Sequence, residues 1–555
     1  MIAHREKGGI HMDLSIKDVL KGVTTILLVA IMTSSMIIMF IAPASAATED
    51  EIEGSILNGL AWLSSQQHED GYWAYDPDWP APNTDVATTG LVILKFVERA
   101  KELGLDPFDN DPDSPTYYEY ADNVTAGYDY IFTHAFSDVN GVHFGLWSDT
   151  YTTGISMMAV AASNAPGRVI TTGALSGWTY QAALQGMMDW MEYAQNDDDD
   201  VFPCDVGGWG YGANQDGWSD QSNTGYATLG LGFAAAPAPI GFGLTIPGDV
   251  LTKLSTYVDN VQDPMDGDSY DGGSWYEPCT PHLWVNILKT GNLLYEMALV
   301  GDDVTDARVQ NAINYVEDHW TDTGQQPEFT ATSLGWMDSY QAMFTMMKGF
   351  EAFGIDTISV GGFDIDWFDE VSTVIVTNQH ADGYFEYLNT SITEGEQSVN
   401  LRTAWALLTL ERVVPTVTIP VNVDVKPASW PNPFRLKSKG VLPVAVCGTE
   451  DFDVTTIDPA TIQLTLEGVE EGVSPLRWSY EDVATPYMGE PCGGHALAGD
   501  GYLDLSLKFD RQELKEILGL DAFEGDTIPL ILTGNLMEEF GGTPIQGQDC
   551  MWILE

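Results

Sequence analysis

Gln66-Gln67-His68-Glu69-Asp70-Gly71-Tyr72-Trp73 returns near residue 380 as Gln379-His380-Ala381-Asp382-Gly383-Tyr384-Phe385. In both places an amphipathic stretch precedes the motif and an apolar stretch rich in small residues follows it. The preceding stretch of the first copy contains Ile56-Leu57-Asn58-Gly59-Leu60-Ala61-Trp62-Leu63, and its apolar partner contains Thr88-Thr89-Gly90-Leu91-Val92-Ile93-Leu94. The last copy ends in Thr403-Ala404-Trp405-Ala406-Leu407-Leu408. The pattern reads as helix, glycine turn with an aromatic, helix. Gly permits the tight turn, the aromatic packs inward, and the Gln amide can satisfy a neighbouring helix end.

Between these two copies the unit repeats. Gly207-Gly208-Trp209 and Gly272-Gly273-Ser274-Trp275 carry the turn in the third and fourth copies. Phe144-Gly145-Leu146-Trp147 and the segment before Tyr340-Gln341-Ala342-Met343 mark looser second and fifth copies. Equivalent glycines recur at roughly 60-residue spacing, enough for two helices and two loops. The second helices are apolar on most sides and so belong to an inner wall; the first are amphipathic and belong outside. Six such units can close on themselves, leaving no exposed repeat end.

The Gln66–Trp73 motif resembles the Q-x-x-x-D-G-x-W motif of squalene-type terpenoid cyclases. The Gly-Gly turns resemble those of protein prenyltransferase β-subunits. The resemblance covers about 360 residues and implies an (α/α)6 toroid over 50–413. After a linker at 414–420 the pattern changes to alternation, in Val421–Val425, Val441–Val446, Ile462–Leu466, Leu503–Leu507 and Ile528–Thr533. This predicts a C-terminal β-sandwich over 421–555, so the fold class is α+β multidomain. Val423–Pro427 and Leu436–Val446 resemble a β-domain of exported prokaryotic proteins.

The two related families carry their chemistry in identifiable letters, and here those letters are incomplete. Where cyclases have the acid motif D-x-D-D-T, this chain has Asp220-Gln221-Ser222-Asn223-Thr224. Ser222 and Asn223 cannot deliver a strong acid's proton, which argues against protonation-initiated cyclisation. The prenyltransferase zinc motif D-x-C is matched by Glu277-Pro278-Cys279, but Gln341 stands at the ligand His. Glu277, Cys279 and His282 form a conceivable zinc set, and a Cys204–Cys279 disulfide would compete for its sulfur; zinc is therefore disfavoured. Cations are few and scattered along the ring, which disfavours a diphosphate substrate. Asp220, Asp271, Glu277 and Asp338 fall near predicted inner-helix starts and are the candidate catalytic acids. Trp147, Trp209, Trp218, Trp275 and Tyr276 are candidate ligand-stacking residues; the alternative is that aromatics after glycine turns pack the repeat. In the C-terminal part Asp482, Asp500 and Asp504 are the candidate calcium ligands, against an alternative reading as an acidic hairpin turn.

Asp and Glu number 82 against 22 Lys and Arg, a net charge of −60. Such a surface repels nucleic acid and anionic lipid, because each phosphate contact needs a cation. Lys17 and Lys21 precede an apolar run from Val23 to Ile41, and Ala44-Ser45-Ala46 fits a cleavage site. Residues 1–46 therefore read as a signal peptide or, uncleaved, an N-terminal anchor, and the protein as secreted or cell-surface. Membrane contact is expected only through that segment. The 5 cysteines permit one disulfide in each half. With the known catalytic letters missing, the sequence favours a non-catalytic toroid whose cup binds an apolar or carbohydrate ligand, or a surface protein. The alternative is an enzyme on the same ring: a carbohydrate-active lyase or hydrolase, or a divergent terpenoid cyclase.

Overall fold

The computed structural model describes residues 46–76, 82–145, 148–197, 203–214, 218–323, 325–326, 329–333, 335–388, 398–414, 419–449, 452–466, 472–487, 492–537 and 544–555. The expected export segment, Trp147 and most of the 414–420 linker lie outside them. Among the described residues no helix is long and apolar enough to cross a membrane.

Up to residue 411 the described residues form twelve main helices in alternating pairs. The odd-numbered ones are α1 (Glu49–Gln66), α3 (Ala121–His134), α5 (Tyr180–Ala194), α7 (Gly248–Val261), α9 (Ala307–Asp318) and α11 (Trp367–Thr377). The even-numbered ones are α2 (Pro82–Glu102), α4 (Asp149–Ala162), α6 (Gln221–Ala235), α8 (Ile287–Leu299), α10 (Tyr340–Ala352) and α12 (Val399–Glu411). Burial sorts them as the hydropathy predicts. α7 buries one stripe, Val250, Leu254, Tyr257, Val258 and Val261, whereas α8 is buried along its whole length. The even-numbered helices pack each on the next, and α12 packs back on α2. They run parallel and close together: a Cβ at Gly154 of α4 would lie 2.4 Å from the Tyr226 carbonyl oxygen of α6. The result is a toroid-like helical ring.

One joint recurs between successive pairs. Gln67 Nε2 donates to the carbonyls of Gly71 (2.8 Å) and Asn123 (2.9 Å). Gln195 bridges Gly207 and Val250, and Gln262 bridges Gly272 and Arg308. Gln379 bridges Gly383 and, across the closure, Ser55 of α1, both at 2.8 Å. Each amide thus satisfies a carbonyl of its own turn and one in or just before the next outer helix. The glutamine of the first joint is Gln67 and not Gln66, whose amide donates to Ser65 Oγ (2.8 Å). The turn glycines sit flush against the next outer helix. At Gly71 (φ +94) and Gly383 (φ +103) a Cβ would stand 2.3 Å from the Ala126 oxygen and 2.2 Å from the Asn58 oxygen. Two residues on, the backbone N–H of Trp73 donates to Thr89 Oγ1 (3.0 Å) and that of Phe385 to Thr403 Oγ1 (3.3 Å), which locks each turn to its inner helix.

Beyond residue 418 the chain forms strands β1 (Ile419–Pro420), β2 (Val423–Val425), β3 (Pro433–Arg435), β4 (Val441–Val446), β5 (Ile457–Thr465), β6 (Arg477–Glu481), β7 (Asp504–Asp510), β8 (Thr527–Leu536) and β9 (Pro544–Leu554). One sheet has the order β6-β7-β4-β2 and is antiparallel, with Val444 opposite Leu507 and Val425. The other has the order β5-β8-β9-β1, with β3 parallel to β9. Val425, Val444 and Leu507 of the first share an apolar cluster with Leu464, Leu530 and Met551 of the second. The C-terminal strand β9 is one the sequence reading omitted: its inward face carries Asp549 among Ile545, Met551 and Ile553, which breaks the apolar alternation.

Candidate functional site

All inner helices begin at the same mouth of the ring, because they run parallel. Their starts are capped there. Asn286 Oδ1 accepts from Lys289 N (3.1 Å), Ser339 Oγ from Ala342 N (3.1 Å) and Ser398 Oγ from Leu401 N (3.3 Å). Asp220 caps α6 and is fully buried. Its Oδ1 accepts from Ser222 N (2.8 Å), Asn223 N (2.9 Å) and Ser222 Oγ (2.6 Å); its Oδ2 accepts from Asn223 Nδ2 (2.8 Å). Burial raises its pKa against those bonds. Both oxygens are engaged at the start of α6, so Asp220 acts as its cap.

Above α6 and α8 lies a cluster of aromatic rings. Tyr211 and Trp218 have centroids 5.3 Å apart, and Tyr276 and Trp284 are 4.8 Å apart. Tyr276 O accepts from Gln221 N (2.9 Å), tying the loop before α8 to the start of α6. The Trp218 indole N–H donates to Glu277 Oε1 (3.0 Å), and Thr280 Oγ1 donates to Glu277 Oε2 (3.1 Å). Glu277 is half-buried, so a carboxylate is stationed among ring faces and still reaches solvent. Lys289 lies beneath, its Nζ 5.7 Å from the Tyr276 centroid. Burial lowers the Lys289 pKa to about 7, with Asp220 opposing. Burial, with Asp220 and Tyr211 nearby, raises the Tyr276 phenol, so it stays a neutral donor. Asp338 directly precedes the cap of α10 and is half-buried at the same mouth.

Deeper in, the ring is filled. Trp405 Nε1 of α12 donates to the Tyr226 hydroxyl of α6 (3.1 Å), and Tyr151 of α4 stands edge-on to Tyr226 at 4.6 Å. Burial raises the Tyr226 phenol to about 12. Toward the opposite end of the wall, Lys95 pairs with Glu411, Glu98 is buried near Lys348 and Lys95, and Lys348 Nζ lies 5.1 Å from the Phe233 centroid. Burial lowers Lys95 to about 7 and Lys348 to about 8. These cations, scattered in sequence, meet because equivalent turns of neighbouring inner helices face one centre.

The remaining sequence candidates disperse. Trp209 is wholly buried with its indole on the Met191 carbonyl (2.9 Å), so it packs the repeat and is not open to a ligand. Asp271 accepts from Asp266 N and Gly267 N (both 3.0 Å) and braces an outer-rim turn next to Gly272. Trp275 donates to Asp263 on the same rim. The zinc set Glu277–Cys279–His282 is corrected: Cys279 is joined to Cys204 in a disulfide, so its sulfur cannot ligate. A second disulfide joins Cys492 to Cys550, and Cys447 is a buried thiol. Of the calcium candidates, Asp504 is buried and spends both oxygens on Gly448 N (3.1 Å), Val483 N (2.7 Å) and Ala484 N (2.8 Å). Asp482 accepts from Gly501 N (3.0 Å) and Asp500 from Tyr502 N (3.1 Å). Sequence reasoning also missed His143, whose Nδ1 lies 2.9 Å from Asp149 Oδ2 at the start of α4. That bond raises the imidazole pKa. A lone His in a short hairpin gives no periodic signal.

No protein-family model matches the chain, and no curated protein matches it. Among solved structures it is similar to the α-1,6-mannanase of Salegentibacter sp. HEL1_6, with 9% identity and a TM-score of 0.41 over 65% of this chain and 98% of that one. It is also similar to the type II terpene cyclase MstE from Scytonema, with 13% identity and a TM-score of 0.37 over 66% and 98%. At such identities the likeness concerns the ring alone. Both of these proteins are enzymes, which runs against the expectation of a non-catalytic ring.

Proposed function

We propose that this chain is an exported glycoside hydrolase acting on a neutral glycan at the mouth of an (α/α)6 toroid, with the strand region as a β-sandwich for attachment or spacing. The observation that carries the reading is Glu277, held by the Trp218 indole among Tyr211, Trp218, Tyr276 and Trp284. Sugar rings offer apolar C–H faces to aromatic rings and hydroxyls to neighbouring polar groups. Glycosidic cleavage needs two carboxyl groups flanking the bond. Glu277, oriented by an indole donor, suits the nucleophile or base. Asp338 at the start of α10 is the second carboxyl group. The tyrosine hydroxyls supply neutral donors to sugar oxygens.

Charge selects the glycan. A net of −60 opposes a polyuronate, so the substrate is uncharged and elimination from a uronic acid is disfavoured. The cyclase alternative lacks an acid: Asp220 is engaged as a cap, and Ser222 and Asn223 stand where carboxyl groups are required.

The test is release of reducing ends from a panel of neutral α- and β-linked gluco- and manno-oligosaccharides. Glu277→Gln and Asp338→Asn are each expected to cost at least about 100-fold in rate with unchanged thermal melting. No release from any member of the panel, or full activity in both variants, would refute the proposal.

A further inference from the structure

The loop between α7 and α8, which also carries Tyr276, Glu277 and Trp284, holds a second group of donors. Asp263, Asp268 and His282 each place one ligand atom within 4.8 Å of the others. His282 Nε2 lies 3.4 Å from Asp263 Oδ2 and 3.6 Å from Asp268 Oδ2. Both distances exceed a good N–H···O bond, so the imidazole is not hydrogen-bonded to either carboxylate. They do match two donors of a tetrahedral ion: with metal–ligand bonds of about 2.0–2.2 Å, ligand atoms stand about 3.4 Å apart.

A separate observation points the same way. Asp263 is 2% exposed, yet its Oδ1 has no hydrogen-bond partner. Its Oδ2, the oxygen that faces His282, also accepts from the Trp275 indole, which fixes the carboxylate's orientation. A buried carboxylate with an idle oxygen is costly unless a positive charge meets it. The described residues bring no Lys or Arg into a salt bridge with it; its ion-pair partner is His282.

We infer that Asp263, Asp268 and His282 bind one divalent transition-metal ion of the zinc class, with a water in the fourth position. Mixed imidazole and carboxylate donors suit such an ion, whereas calcium takes oxygen donors and more of them. The ion would tie residue 263, just past α7, to residue 282, just before α8. Tyr276 and Glu277 of the mouth lie between, and Cys279 already anchors that stretch to Cys204. The inference stands apart from the proposed hydrolysis, since neither catalytic carboxyl group is a ligand.

The experiment is equilibrium dialysis of the chelator-stripped full-length protein against Zn²⁺, with excess Ca²⁺ present to occupy the acidic surface, followed by metal analysis. One Zn²⁺ per chain is expected. Co²⁺ in its place should give the visible absorption of a four-coordinate site. His282→Ala and Asp268→Asn, both at partly exposed side chains, should each weaken binding at least ten-fold with unchanged near-ultraviolet circular dichroism. Zinc held no better than by the acidic surface, or held equally well in both variants, would overturn the assignment.

Discussion

The Trp405 indole N–H reaches across the ring to the Tyr226 hydroxyl at 3.1 Å, although 179 residues separate them. α6 and α12 are opposite members of the inner circle, so this bond, with Tyr151 edge-on to Tyr226, spans the filled centre of the ring. The aromatic rings of the mouth are half-buried, and Trp405, Tyr226 and their neighbours are packed. Tyr226→Phe and Trp405→Phe should each destabilise the ring, and the double variant should show a coupling of about 0.5–1.5 kcal/mol. Denaturant unfolding of the four proteins measures it. Strict additivity would mean that the bond does not form.

Ring closure gives a second test. Gln379→Ala removes the donor shared by Ser55 and Gly383 and should cost about 1–3 kcal/mol, because both carbonyls lose a partner. Gln66→Ala, one residue from the matching joint, should be near neutral. Gly383→Ala should cost more than Gly104→Ala. Both glycines have positive φ, but a Cβ meets the Asn58 carbonyl at the first and nothing within 4 Å at the second. Thermal melting ranks all four.

The strand region supplies a pH dependence. Burial, with Asp549 beside it, raises Asp424 to about 7, and burial raises Asp549 to about 6. Both folded values exceed the ordinary carboxyl value of about 3.9. Between that value and about 7 the folded state therefore binds more protons than the unfolded state, and stability falls as pH rises. Hydrogen exchange in β2 and β9 should be faster at about pH 7.5 than at about pH 5. Asp424→Asn should flatten the difference, though His495 and Asp504 also face this group. Exchange that slows with rising pH, after correction for the intrinsic rate, would contradict the assignment.

The ring was legible where its joints are made by a glutamine and a glycine. Gln67, Gln195, Gln262 and Gln379 mark the same four copies that read well in sequence. The second and fifth copies read poorly because other devices replace the joint. In the second, a hairpin pairing Phe136–Asp138 with Gly141–His143 seats Gly141 against Gly186 of α5. In the fifth, Trp320 packs against Trp336 with centroids 4.8 Å apart and the rings tilted by 40°. Trp218, Tyr276 and Glu277 of the candidate site were also singled out, and they do meet. Trp209 takes the alternative that the sequence leaves open: directly after the Gly-Gly turn its ring packs the repeat. Tyr151, Tyr226 and Trp405 were invisible: inside uniformly apolar helices, an aromatic facing the lumen looks like one facing the outer layer.

The glutamine joint between the last and first helical pairs is chemically the same as the joints within the chain. The scaffold therefore has no distinguished beginning. Open helical stacks need specialised terminal units with a polar outer face, but this circle can be enlarged from one ancestral hairpin by copying alone. Opening the ring at another loop would leave the glutamine joints, the one across the closure included, unchanged in kind.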